Sequence, residues 1–139
     1  RQGHRLAVLF VDLDRFKEVN DCYGHQVGDR LLQAVAERLR ASVRASDTAA
    51  RLSGDEFVLL LGPVHGRDEV LAIAEKLLAR FQAPVVLDGF VLPIQVSIGI
   101  SLFPEHGHTA RALLEAADAA MYVSKGAGRN AWSVAPDPA

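Results

Sequence analysis

The chain is 139 residues long, 50% hydrophobic and 23% charged, proportions that fit one compact, soluble domain with a core of its own. Its 15 Lys and Arg against 17 Asp and Glu leave a formal charge of −2, and with no Lys/Arg-rich run a nucleic-acid partner is not expected. The single Cys22 excludes an intrachain disulfide and offers no cysteine-built zinc site, while the longest apolar runs, 6–11 and 57–61, fall far short of a membrane span; the expectation is a cytoplasmic domain without direct membrane contact, any anchor lying elsewhere in a parent protein.

Residues 6–11, Leu-Ala-Val-Leu-Phe-Val, are a β-rich apolar run ending at Asp12 and read as a strand buried on both faces. A short helix is expected next, then an amphipathic one over 27–43, where Val27, Leu31, Leu32, Val35, Ala36 and Leu39 recur at helical spacing with Arg30, Gln33, Glu37 and Arg40 interleaved. Runs 48–52 and 56–61 are strand-like and flank Ser53-Gly54-Asp55, which predicts a tight hairpin with an acidic tip. Helical spacing returns over 68–81, with Leu71, Ala74, Leu77, Leu78 and Phe81 on one side. Pro84 and Gly89 punctuate a segment of weak strand character, and 94–101 alternates as a strand does. A last helix over 110–125 is stopped by Gly126 and Gly128, a small strand over 131–134 closes the chain, and 135–139, with two prolines, is expected to fray. Strands alternating with helices, without repeats or linkers, predict a single α/β domain over 1–134 with a mixed sheet.

The chemistry gathers after the first strand. Charged residues directly behind a buried strand are expected where a sheet edge forms a ligand crevice. Mg²⁺ prefers a few hard oxygens with water and substrate phosphates, so Asp12 and Asp55 could hold it jointly if the hairpin lies beside the first strand. Each residue taken alone also has a plainer reading. Asp12 could merely end a strand, Asp14 could cap the short helix, Asn20 and Asp29 could be local caps, Lys17 a solvated lysine, and Lys125 a complement to a helix C-terminus. Phe16 reads as core or pocket wall, and His25 is assigned no catalytic part.

These segments together resemble a known family. Arg51-Leu52-Ser53-Gly54-Asp55-Glu56-Phe57 resembles the GGDEF signature, and D-x-D-x-F-K-x-x-N-D-x-x-G-H-x-x-G-D is matched from Asp12 through Asp29. Ser97-Ile98-Gly99-Ile100 and the stretch Ala117-Asp118-Ala119-Ala120-Met121-Tyr122-Val123-Ser124-Lys125-Gly126-Ala127-Gly128-Arg129-Asn130 are similar to the family's third and fourth blocks. The resemblance implies a palm-like nucleotidyl-cyclase fold, α/β with a mixed central sheet of about five strands flanked by helices. It also implies a diguanylate cyclase, which condenses two GTP into cyclic di-GMP and two pyrophosphates. By that resemblance Asp12, Asp55 and the Leu13 carbonyl would bind Mg²⁺ or Mn²⁺, and Glu56 would support the metal or the attacking ribose. Asn20 and Asp29 would read guanine, since a carboxylate accepts from the N1 and N2 donors that adenine lacks in that pattern. Lys17, Lys125 and Arg129 would contact phosphates, with Gly126 and Gly128 letting the backbone turn; Phe16 would wall the pocket and Gly54 lie nearest the nucleotide. Each domain would hold one GTP, so a homodimer is implied, and sensory or phosphodiesterase domains are expected in the parent protein.

Arg44-Ala45-Ser46-Asp47 fits the family's R-x-x-D inhibitory motif, at the family's spacing of five residues before Ser53, and implies a site where cyclic di-GMP would act as an inhibitor. Two departures stand out. Ser53 replaces the first glycine of the signature, at a cost on the order of 1 kcal/mol if that position requires positive φ. The family's upstream D-x-L-T-G-L-x-N-R stretch is expected before the first strand, ahead of this sequence. The competing reading is a weak or inactive module that binds GTP or cyclic di-GMP and regulates a neighbouring domain.

Overall fold

A computed structural model describes residues 5–138. Strand β1 (Arg5–Leu13) is buried throughout 7–13, as its unbroken apolar run predicts. It is followed by α1 (Phe16–Tyr23), α2 (His25–Ala41), β2 (Thr48–Ser53), β3 (Glu56–Val64), α3 (Arg67–Arg80), β4 (Val85–Leu87), β5 (Phe90–Leu92), β6 (Val96–Phe103), α4 (Ala110–Gly126) and β7 (Ala131–Val134). The main sheet has five strands in the order β2-β3-β1-β6-β7. β1 pairs antiparallel with β3 and β6, and β2 with β3, whereas β7 runs parallel to β6 after the α4 crossover.

Alternation along β1 divides its side chains between two cores. Ala7, Leu9, Val11 and Leu13 join the larger one, with Leu31, Val35 and Leu39 of α2 and Val70, Ala74 and Leu77 of α3. Val8 and Phe10 turn the other way, against Leu113, Ala117 and Met121 of α4. Each fully buried Leu or Met contributes about 2 kcal/mol. α4 lies so close to β6 that a Cβ at Gly99 would overlap the backbone of Ala117 and Met121, so only glycine fits the Ser-Ile-Gly-Ile strand there. The same alternation that sends Val8 and Phe10 to the α4 face sends Asp12 and Asp14 there too.

The structure sharpens one expectation and, within residues 135–138, departs from another. The segment of weak strand character is a separate hairpin, β4 paired with β5, whose turn residues Asp88 and Gly89 both take positive φ, the conformation for which an Asp-Gly pair is suited. The tail is tied down rather than frayed. Ala135 is buried and its N–H donates to the Ile100 carbonyl at 2.8 Å, and Asp137 accepts from Arg67 at 2.6 Å and lies 3.0 Å from His106 Nε2. Ala139 and residues 1–4 lie outside the described residues. Among the described residues no helix is long and apolar enough to cross a membrane.

Candidate active site at the end of β1

The acidic hairpin tip lies beside the end of the opening strand. Asp12 is opposite Glu56 in the β1–β3 register and opposite Ser97 in the β1–β6 register, and the Leu13 N–H donates to the Asp55 carbonyl at 3.1 Å. Gly54 carries the turn at φ 50°, the first of its two central residues, where a II′ turn takes glycine. Ser53 is the last residue of β2 and pairs with Glu56 across the ladder, outside the left-handed region, so the serine brings no backbone strain. Its hydroxyl points at Glu56 Oε1, 3.5 Å away.

Asp12 sits in an unfavourable electrostatic setting. Burial, with the nearby Asp55 and Glu56 charges adding to it, pushes its pKa up to about 6 against the opposing pull of Lys125. Lys125, at the last turn of α4, places Nζ 2.8 Å from Asp12 Oδ2 and 3.5 Å from Asp14 Oδ1. Burial works against its charge, but the two carboxylates outweigh that and raise its pKa. Asp12 Oδ1 is buried and has no hydrogen-bond partner among the described residues. A buried carboxylate oxygen without a donor is costly, and a cation would satisfy it.

Among the described residues no three His, Cys, Asp or Glu side chains form a ready-made cage for an ion. A hard divalent cation takes one or two carboxylates, keeps waters and completes its shell with substrate phosphate. The bare Asp12 oxygen, with the Asp55 charge near it, is of the donor type that Mg²⁺ or Mn²⁺ takes.

Asp14 does not cap α1. The residue preceding that helix is Arg15, at φ 58°, and no side chain caps it. Asp14 Oδ1 instead accepts from Ser97 Oγ at 2.8 Å, and its Oδ2 accepts from the Asn130 N–H at 3.2 Å. A buried carboxylate thus ties β6, α4 and the α4–β7 turn to the end of β1. Sequence reasoning missed this role, although D-x-D at a strand end puts both carboxylates on one face and carried the signal.

The residues expected to meet nucleotide lie on α1, on α2 and in the α4–β7 turn. Asn20 faces α2 so closely that a Cβ at Gly28 would overlap its Oδ1, and Asp29 follows Gly28 on that helix. Neither residue is a cap: Asn20 lies inside α1, and α2 begins after Gly24 with no side-chain cap. Lys17 is exposed on α1, and Phe16 lines a cleft of about 350 Å³ with Val19, Tyr23, Pro93 and Ile94. Arg129 is exposed in the α4–β7 turn at φ 69°, after Gly128 at φ 109°. Gly126, expected to be a second turning point, is instead the last residue of α4 and has no positive φ.

Arg44 and Asp47 form a second cluster, at the far end of β3 from Glu56. Asp47 accepts from Arg44 Nε at 3.0 Å and Nη2 at 2.9 Å, and from the Arg44 and Gly62 amides at 2.9 and 3.1 Å. Burial alone would raise its pKa, but these donors outweigh it and hold the carboxyl below its ordinary value. Arg44 also lies 3.5 Å from Glu69 and donates to the Pro63 carbonyl. A cleft of about 570 Å³ opens here, with Lys76 and Arg80 on its wall.

Known proteins share this arrangement of elements. The family model described as "Diguanylate cyclase, GGDEF domain" matches residues 1–131. The chain is 52% identical over 132 residues to the bifunctional diguanylate cyclase/cyclic di-GMP phosphodiesterase MucR of Pseudomonas aeruginosa, covering 95% of this chain and 19% of that protein. It is 48% identical over 132 residues to the diguanylate cyclase TpbB of the same species, covering 94% of this chain and 30% of TpbB. The crystal structure of the TpbB GGDEF domain has a TM-score of 0.95 at 46% identity, covering 99% of this chain and 86% of that one. The GGDEF domain of DgcB from Caulobacter crescentus, solved in complex with c-di-GMP, has a TM-score of 0.87 at 29% identity, covering 96% and 79%. The chain belongs to the GGDEF domain family and shares its palm-like α/β fold. It spans less than a third of the length of these two curated relatives.

Proposed function

We propose that this domain is a diguanylate cyclase that joins two GTP into cyclic di-GMP with release of two pyrophosphates. The observation that carries the reading is the buried, unpartnered Asp12 oxygen next to the Asp55 turn. In this reading Asp12, the Leu13 carbonyl and Asp55 hold Mg²⁺ or Mn²⁺, and Glu56 supports the ion or the attacking ribose. When bound, the ion supplies charge neutralisation at the α-phosphate and makes the 3′-hydroxyl easier to ionise. Lys17, Lys125 and Arg129 hold phosphate oxygens, while Asn20 and Asp29 read guanine, with Phe16 as a wall and Gly54 leaving room at the tip. Each 3′-oxygen forms a bond to the α-phosphorus of the other nucleotide, and the α–β phosphoanhydride bond breaks as pyrophosphate leaves. Two facing domains are needed, so the working form is a homodimer, inside a longer cytoplasmic parent with sensory or phosphodiesterase domains.

The test is to join the chain to a dimerising coiled coil, incubate it with GTP and Mg²⁺, and look for cyclic di-GMP by mass spectrometry. Nucleotide binding by a folded dimer without product would replace this reading with that of a regulatory binding module. A second reading, product inhibition at Arg44 and Asp47, is supported by the cationic wall that Lys76 and Arg80 add to their cleft. It predicts cyclic di-GMP binding that Arg44→Ala removes, measured by calorimetry.

A further inference from the structure

Lys125 has two carboxylates within reach, and they are not equivalent. Asp14 is held at both oxygens by Ser97 and the Asn130 amide, and its side chain is 1% exposed, so it is a fixed anionic post. Asp12 has Lys125 as the single side-chain partner recorded for it among the described residues, and its other oxygen has none. The ammonium lies 2.8 Å from Asp12 Oδ2, on the same carboxylate whose bare Oδ1 a divalent cation would take, and two cations sharing one buried carboxylate repel strongly. Asp14, on the same strand face, lies close enough to retain the ammonium once it leaves Asp12. Asp14 also fixes the Asn130 amide, next to Arg129, so the post steadies both cations of this turn.

We propose that Lys125 is an internal counter-ion for Asp12 in the metal-free domain and passes to Asp14 when a divalent cation binds, with Asp14 as the positioning residue that keeps the ammonium at the site. The proposal rests on the reading of Asp12 as a metal ligand. Entry of metal is then a cation exchange, in which the ion draws Asp12 away from Lys125, and without the ion the carboxylate keeps a counter-charge.

The test measures Mn²⁺ affinity by calorimetry without nucleotide, in wild type and variants whose folding is checked by thermal melting. Lys125→Met removes the competing ammonium and is expected to tighten Mn²⁺ binding about tenfold. Asp14→Asn is expected to weaken it, because the ammonium then stays on Asp12. In the Lys125→Met background the same Asp14 change should have less than about a twofold effect, since the two residues act as one unit. Unchanged Mn²⁺ affinity in Lys125→Met overturns the counter-ion role, and an equal Asp14→Asn loss in both backgrounds overturns the post. Asp12→Asn is the separate control: Mn²⁺ binding as tight as wild type there removes the metal reading itself.

Discussion

Asp12 and Asp47 lie toward opposite ends of β3, each buried against a cation, yet one is left short of donors and the other saturated. Asp47 uses both oxygens on Arg44 and on two backbone amides, and its carboxyl is held below its ordinary pKa. Asp12 meets Lys125 with one oxygen, leaves the other bare, and is raised to about 6. The difference separates a carboxylate that closes a loop from one left short of partners. A buried polar atom stabilises a fold only when its partners are already there, and Asp12 Oδ1 lacks one among the described residues.

The largest expected effect falls on the open corner. Asp55→Asn removes charge but little volume, so cyclic di-GMP production should fall by about a thousandfold or more while the melting curve stays put. Turnover at the wild-type level in that variant would refute the assignment. The closed corner should answer in stability instead: Asp47→Ala is expected to cost about 2 kcal/mol in urea unfolding, by taking the acceptor from the Gly62 and Arg44 amides. In metal-free buffer Asp12→Asn should cost nothing or stabilise, and an equal loss at both positions would erase the contrast.

Next in size is base recognition. Asp29→Ala should weaken GTP about tenfold while leaving ATP little changed, and equal losses for both would show that Asp29 does not read the base. The pH dependence has opposite signs at the two corners. Asp47, with its folded pKa below 3.8, contributes stability that is complete above that value and lost as pH falls through the folded pKa. Asp12, raised from 3.8 to about 6, contributes stability that is complete below 3.8 and lost as pH rises through the folded value. Urea titrations in EDTA from about pH 3 to pH 7 should show Asp47→Asn flattening the acid side and Asp12→Asn flattening the other. Parallel pH curves for the two variants would sink the distinction.

Periodicity carried most of the fold. The apolar run of β1, the stripe on α2, the spacing of α4 and the closing strand over 131–134 were all legible, since each leaves its pattern within its own stretch of sequence. The β4–β5 segment was read as weakly strand-like but not as a hairpin, although Asp88-Gly89 signalled one, because its strands are three residues each and too short to show a period. The tail is held by Arg67 and His106, far away in sequence, and proline content alone pointed the wrong way. Within the site, the meeting of Asp12 with Asp55 was readable from motif and hairpin together. The role of Asp14 was legible only in part: D-x-D put it on the face of Asp12, but its partners Ser97, Lys125 and Asn130 come from distant stretches and only the fold brings them to it.

α4 is also a measuring rod. It spans 17 residues, about 25 Å at helical rise, and returns the chain alongside β6, whose 8 residues extend about 26 Å. Because the two lengths match, the chain reaches the β1 terminus just as the helix ends, and Lys125 arrives level with the acidic pair. Adding or deleting one residue in that helix would swing the lysine by about 100° around the axis and strand its charge away from both acids. The length of one helix therefore sets the reach of Lys125 to Asp12 and Asp14.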